Sequence, residues 1–208
     1  MTRPKRSSSR RWRECQAADP FVAEAKRQGW RARAVFKLQE IDRRERLLRP
    51  GMTCVDLGAS PGSFSQYAAQ RVGANGRVIA IDLLPMDPVH GVEFMQADFL
   101  APGVVEALRA QSGERTVDLV ISDLAPNISG NRVIDQGRSL ALAEEALEFA
   151  AAVLKPGGDF LTKVFQGTGI DEFVALARRR FAKAKLIKPR ASRAASREIY
   201  LLARQYGL

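Results

Sequence analysis

From residue 52 onward, apolar positions fall into short runs that alternate with stretches at helical spacing. "MTCVDL" (52–57) is mostly apolar and leads into a Gly/Pro turn, which predicts a buried strand. "SFSQYAAQRV" (63–72) predicts a helix, "GRVIAIDLL" (76–84) a strand and "GVEFMQADF" (91–99) a short strand. "PGVVEALRAQ" (102–111) reads as a helix, and "TVDLVISDLAP" (116–126) as a strand broken by Pro126. Residues 135–158 predict a long helix, stopped by Pro156 and two glycines. "DFLTKVF" (159–165) is the next strand and 171–181 a helix. "AKAKLIKP" (182–189) and "REIYLLAR" (197–204) complete the set as strands, the first with period-two character. Upstream, Val35, Leu38, Ile41, Leu47 and Leu48 share one face of a helix expected to end before Pro50. There is no internal repeat.

Strands alternating with helices predict an α/β fold: an open, doubly wound, mostly parallel sheet of seven strands. Ligands of such sheets bind beyond the carboxyl ends of the strands, near the point where strand order reverses. The strand ends are therefore where chemistry is expected.

Composition narrows the class. The 208 residues suit one domain, and a 46% hydrophobic content supports an ordinary core. No apolar run reaches the roughly 18–20 residues that span a bilayer. The opening "MTRPKRSSSRRWR" is basic with no apolar segment after it, which argues against a secretory signal and for a cytoplasmic protein. Residues 1–18, rich in Arg and Ser, are expected to form a mobile basic arm, with 19–208 as the single domain. Cys15 and Cys54 show no sign of pairing, and with one histidine, His90, in a loop, they leave no soft-ligand cluster for a metal. His90 is read as structural or solvated.

Charge adds a partner. The net charge is +10, unevenly spread. Residues 1–49 carry 15 Lys/Arg against 6 Asp/Glu, and residues 178–208 carry 10 against 1, whereas residues 50–177 carry 8 against 16. Two basic flanks around an acidic centre suggest a polyanion, with nucleic acid ahead of an anionic membrane. Arg10, Arg11, Arg13, Arg31, Arg33, Arg190, Arg193 and Arg197 are the candidate phosphate contacts, at most half of them used.

The first strand ends in "VDLGASPGSF" (55–64). Its glycines, Gly58 and Gly62, let backbone approach a ligand, but their spacing is not that of a dinucleotide-binding loop. Asp82 ends the second strand, where an acid can accept from ribose hydroxyls, and Asp98 follows the third in "QADF". Together they suggest a nucleoside without a pyrophosphate, the shape of S-adenosyl-L-methionine; a tight turn followed by unrelated aspartates is the plainer alternative. Asp123 ends the fourth strand in "ISDLAPNISG", Lys163 lies near the end of the fifth, Glu198 opens the last, and Lys37 is on the N-terminal helix. A lysine inside a buried strand is costly unless paired or neutral. Ion pairs would explain the group; so would methyl transfer to a hydroxyl, which needs a proton acceptor. Lysine accepts a proton only when neutral, a form that burial, a second ammonium and a sulfonium favour and carboxylates oppose.

"RARAVFKLQEID", "DLGASPGSFSQY", "IDLLPMDPVHGVEFMQADF", "SDLAPNISG", "KVFQGTGIDEF" and "KPRASRAASREIYLLA" together resemble the FtsJ family of ribose 2′-O-methyltransferases over nearly the whole chain. The similarity is greatest to its bacterial branch acting on a uridine of 23S ribosomal RNA. The resemblance implies the Rossmann-like fold of S-adenosylmethionine-dependent methyltransferases and a Lys-Asp-Lys-Glu tetrad at Lys37, Asp123, Lys163 and Glu198. It implies Lys163 as general base, Lys37 and Glu198 as groups positioning the hydroxyl and the base, and Asp123 as orienting the base. Cofactor contacts are implied at Gly62, Phe64, Asp82, Asp98 and Asp123, with no metal. Ser63 and Phe64 depart from the family's usual glycine and tryptophan. The implied partner is 23S ribosomal RNA within the large subunit, met by a monomer. Transfer RNA or an mRNA cap is the alternative substrate, and a non-catalytic RNA-binding assembly factor the alternative class.

Overall fold

The computed structural model describes residues 19–112, 116–193 and 196–207. The basic arm expected at 1–18 lies outside the described residues, as do Arg10, Arg11, Arg13 and Cys15.

Helix α1 (Pro20–Arg27) starts where Asp19 Oδ1 accepts from the Phe21 amide at 3.1 Å, with proline in the first turn. Gly29 (φ 73) then breaks the chain before α2 (Val35–Glu45), which ends at Arg46 in the left-handed region. The helix anticipated up to Pro50 therefore stops earlier. Its terminal carboxylate Asp42 explains this: it accepts from the Leu48 amide at 2.7 Å and curls residues 46–48 under the helix end. Strands β1 (Thr53–Leu57), β2 (Arg77–Asp82), β3 (Val92–Gln96) and β4 (Val117–Ser122) follow, with α3 (Ser63–Val72) after β1 and α4 (Val104–Ser112) after β3. Then come α5 (Arg132–Val153), β5 (Leu154–Phe165), α6 (Ile170–Arg178), β6 (Phe181–Ile187) and β7 (Glu198–Tyr206).

The seven strands form one sheet in the order β3-β2-β1-β4-β5-β7-β6. The pairs β3–β2, β2–β1, β1–β4 and β4–β5 are parallel, while β7 runs antiparallel to both β5 and β6. The expected doubly wound, mostly parallel sheet is thus present, with its order reversing between β1 and β4. Alternate residues face two helical layers. Cys54, Val78, Leu119, Ile121, Leu161, Tyr200 and Leu202 pack against α1–α3, and Val55, Leu57, Ile79, Ile81, Val120, Phe160 and Leu201 against α4–α6.

Two further expectations change. The long helix begins earlier, at Arg132 beneath an Asn131 cap, and ends at Val153 rather than 158. Leu154 is already extended and pairs with Val117, after which the register jumps to Leu119–Asp159. Pro156 has no amide to continue the helix and biases Lys155 to extended backbone, and Gly158 passes so close to β4 that a Cβ would lie 3.2 Å from the Asp118 carbonyl. Strand β6 does not alternate: Phe181, Ala184 and Ile187 are buried and the residues between them exposed. It is an edge strand, where long lysine stems keep their charge in water; Lys185 Nζ pairs with Glu45 at 2.8 Å.

Asp42, 2% exposed, joins three elements, accepting from Leu48 N, from Tyr67 Oη at 2.7 Å and from Arg71 Nε at 3.1 Å. Asp42→Ala leaves a buried hydroxyl and amide without partners and is expected to cost roughly 2–4 kcal/mol. The urea unfolding midpoint measures this; an unchanged midpoint would refute the role.

Candidate active site

The switch point is held shut at the backbone. Asp123 N donates to Leu57 O at 2.9 Å, and Gly58 N and Ala59 N donate to Ile81 O at 2.9 and 3.1 Å. Gly58 has φ +79, and a Cβ there would sit 2.9 Å from Leu124 N, so only glycine allows the loops after β1 and β4 to approach this closely. Asp82 organises the same rim: Oδ2 accepts from Ser60 N at 2.8 Å and Oδ1 from Leu84 N at 2.8 Å. Each oxygen keeps a lone pair for a further donor. Asp98, exposed, accepts from Leu100 N at 3.0 Å. Beside it opens a cavity of about 950 Å³, walled by Leu83, Phe99, Leu100, Ala125 and Pro126 and extending to Arg138 and Glu145.

Phe64 is only 3% exposed and packs with Tyr67 and Ala68 in the layer against α2. Its ring belongs to the core, so what the start of α3 turns toward the loop is its backbone. Gly62 precedes it at φ +104. Asp56, one residue from the end of β1, is fully buried; Ser65 Oγ donates to Oδ2 at 2.6 Å, and Oδ1 has no protein partner. Burial raises its pKa to about 7 against the Ser65 hydrogen bond, with the Asp123 and Asp82 charges adding to the rise.

Lys37, Asp123, Lys163 and Glu198 come together on the α2 side of β5 and β7. Lys163 is 5% exposed; Nζ donates to the Asp123 carbonyl at 2.7 Å and lies 3.2 Å from Asp123 Oδ1. Lys37, 9% exposed, places Nζ 2.7 Å from Glu198 Oε2. The antiparallel register puts Tyr200 opposite Lys163 and Glu198 opposite Phe165, so Lys163, Glu198 and Tyr200 share one face. Burial alone would raise the Glu198 carboxyl, but the charge and hydrogen bond of Lys37, then the charge of Lys163, hold it below the usual range. The two pairs therefore feel each other.

Sequence reasoning missed Tyr200. Fully buried, it donates its hydroxyl to Asp123 Oδ1 at 2.7 Å, the same oxygen that faces Lys163. Burial and the Asp123 charge push its phenol well above the ordinary value, so it stays a donor. Its signal was slight: one aromatic in the apolar run "EIYLLA". Four of the candidate phosphate contacts have partners within the protein. Arg31 donates to the carbonyls of Pro61, Asp87 and Pro88, at 3.2, 2.6 and 2.6 Å, and Arg33 to Asp19 and the Ala191 carbonyl. Arg193 pairs with Asp19 at 3.3 Å, and Arg197 donates to the Arg132 carbonyl at 3.2 Å. His90 is exposed on the loop before β3. Among the described residues no three His, Cys, Asp or Glu side chains are grouped to hold a metal ion, and no helix is long and apolar enough to cross a membrane.

A family model described as FtsJ-like methyltransferase matches residues 30–206. A protein of Alkalilimnicola ehrlichii named ribosomal RNA large subunit methyltransferase E is 53% identical over 206 residues, 99% of each chain. A protein of the same name from Legionella pneumophila is 49% identical over 201 residues, 97% of this chain and 98% of its own. The crystal structure of a ribosomal RNA methyltransferase from Plasmodium falciparum superimposes with a TM-score of 0.77 at 26% identity, covering 85% of this chain and 98% of that one.

Two outcomes are expected. Because Asp56 has a raised pKa, the folded protein binds a proton there, between about pH 4 and pH 7, that the unfolded chain releases. Stability falls as pH rises through that window, and the full cost remains above it. Asp56→Asn should flatten this dependence and raise stability at about pH 8 by on the order of 4 kcal/mol, read as the difference in urea midpoints between acid and alkaline buffer. Tyr200→Phe should lower turnover about tenfold with little change in Tm, since the lost hydrogen bond orients Asp123; unaltered turnover would contradict that orienting role.

Proposed function

Since this chain belongs to the FtsJ-like methyltransferase family, we propose that it moves a methyl group from S-adenosyl-L-methionine to the ribose 2′-hydroxyl of a uridine in 23S ribosomal RNA of the large subunit. The chain is a methyltransferase and uses a methyl donor. The observation that carries the finer reading is the pairing of two nearly buried lysines with two carboxylates on one face of β5 and β7.

The rim fits S-adenosyl-L-methionine. The glycine at Gly58 keeps the loops after β1 and β4 in close contact, Asp82 and Asp98 retain acceptor capacity for hydroxyl and amine donors, and the Leu83, Phe99 and Pro126 walls suit a flat apolar ring. Gly62, Asp82, Asp98 and Asp123 would hold it, with the backbone of Phe64 contributing at the start of α3. When bound, it supplies an electrophilic methyl on a sulfonium.

Lys163 in its neutral amine form would accept the hydroxyl proton at Nζ, leaving the ribose oxygen free to receive the methyl group that the donor would supply. The Asp123 carbonyl and carboxylate fix Nζ from one side, and Tyr200 fixes the carboxylate. Lys37, steadied by Glu198, donates to the ribose oxygen and holds it in line. Only RNA offers a 2′-hydroxyl, so the chemistry itself excludes DNA. Arg190 and Arg197, which precede Glu198 in the chain, supply phosphate contacts with the basic arm. The protein works as a cytoplasmic monomer of one domain.

Lys163→Ala should reduce methylation by about three to four powers of ten while donor affinity stays within a few-fold. The 2′-O-methyl map of ribosomal RNA in cells carrying only that variant should lose one uridine mark. Near-full activity would remove the base from the scheme, and an unchanged map beside an assembly defect would favour a non-catalytic role.

A further inference from the structure

The corner joining β4 to α5 is exposed throughout residues 127–134. Ile128, Val133 and Ile134 are 65%, 78% and 45% exposed, which makes a local apolar patch rather than scattered single residues. Helix formation does not call for them, because β-branched side chains are mediocre helix formers. The corner is nevertheless firmly built. Asp135 Oδ1 accepts from both the Ser129 amide and hydroxyl at 2.7 Å, its other oxygen accepts from Gly130 N at 3.2 Å, and Asn131 caps the amides of Val133 and Ile134. A rigid corner that presents aliphatic groups to water is shaped for a partner.

The patch adjoins the reactive centre. Arg197 Nη2 donates to the Arg132 carbonyl at 3.2 Å, Gln166 N donates to the Arg197 carbonyl at 2.8 Å, and Gln136 Nε2 donates to the Thr168 carbonyl. The loops after β4 and β5 and before β7 thereby form one rim, and Asp123, Lys163 and Glu198 lie at the strand ends that feed it. Arg132 and Arg138 are exposed beside the apolar groups. Apolar surface rimmed by guanidinium groups, on a protein of net charge +10, suits a polyanion that also offers flat apolar faces.

We propose that Ile128 and Val133 form a wedge that covers the face of a nucleobase beside the methylated nucleotide, while Arg132 and Arg197 hold the flanking phosphates. This rests on the reading of the chain as an RNA ribose methyltransferase. Lys163 is 5% exposed, so a ribose locked in a stacked helix cannot bring its hydroxyl to Nζ; the nucleotide must leave the stack. The neighbouring base then loses a partner, and an apolar side chain in its place keeps that face from water. Such a contact favours the splayed conformation without reading sequence.

The test uses the full-length protein with large ribosomal subunits from cells lacking the enzyme. Ile128→Ser/Val133→Ser should lower kcat/KM for subunits about tenfold while the Kd of S-adenosylhomocysteine is unchanged, and Ile128→Leu/Val133→Ile should restore it. A photo-cross-linking phenylalanine analogue at position 133 should attach to ribosomal RNA. Wild-type kcat/KM in the serine variant, or cross-linking to a ribosomal protein alone, overturns the wedge. Wild-type protein that methylates no ribosomal RNA would instead sink the parent reading, and the wedge with it.

Discussion

A lysine buried in the middle of a sheet is the constraint around which this molecule is arranged. Lys163 is tolerable there because Asp123 meets it twice, with a carbonyl and with a carboxylate. That double contact requires β4 to stop at Ser122 and turn away, so that the next residue can offer both of its oxygens to the neighbouring strand. It also requires the carboxylate to be held, which Tyr200 does from β7. Were the pair tighter and drier it would be an inert structural bridge. Asp123 keeps 21% of its side chain exposed, which leaves the centre open on one side to an incoming group.

The reversed strand makes the second pair possible. Because β7 runs antiparallel to β5, its beginning lies beside the end of β5, and Glu198 falls on the same rim as Lys163. A parallel strand would have put its opening residue at the opposite edge of the sheet. Lys37 reaches Glu198 from α2, so the helical layer is clamped to the sheet by that charge pair. Architecture and chemistry thus share the same contacts, which is why several of these groups are at once buried, ionised and hydrogen-bonded.

Much of this was legible in the sequence. Buried parallel strands give continuous apolar runs, so β1, β2, β4 and β5 stood out, and strand-end reasoning led to Asp82, Asp98, Asp123 and Lys163. Strand-end topology also grouped Glu198 and Lys37 with them, although 161 residues separate these two touching side chains, but their roles came only from motif resemblance. What stayed hidden was hidden for physical reasons. Tyr200 looks like any core aromatic until its hydroxyl has an address. Arg31 and Arg33 look like phosphate ligands, yet a guanidinium can as readily gather backbone carbonyls, and composition does not distinguish these uses. Period-two alternation failed for β6 because an edge strand has solvent on too many sides to sort its residues cleanly.

The placement of β7 also bears on how the molecule comes into being. The seventh strand in chain order is inserted between β5 and β6, which precede it in the chain. While a growing chain lacks residues 198–206, both of those strands have an unmatched edge, and neither Glu198 nor Tyr200 exists to complete the centre. Closure of the sheet therefore waits for residues 198–206, and a chain ending before them would lack both side chains and be prone to edge-to-edge association.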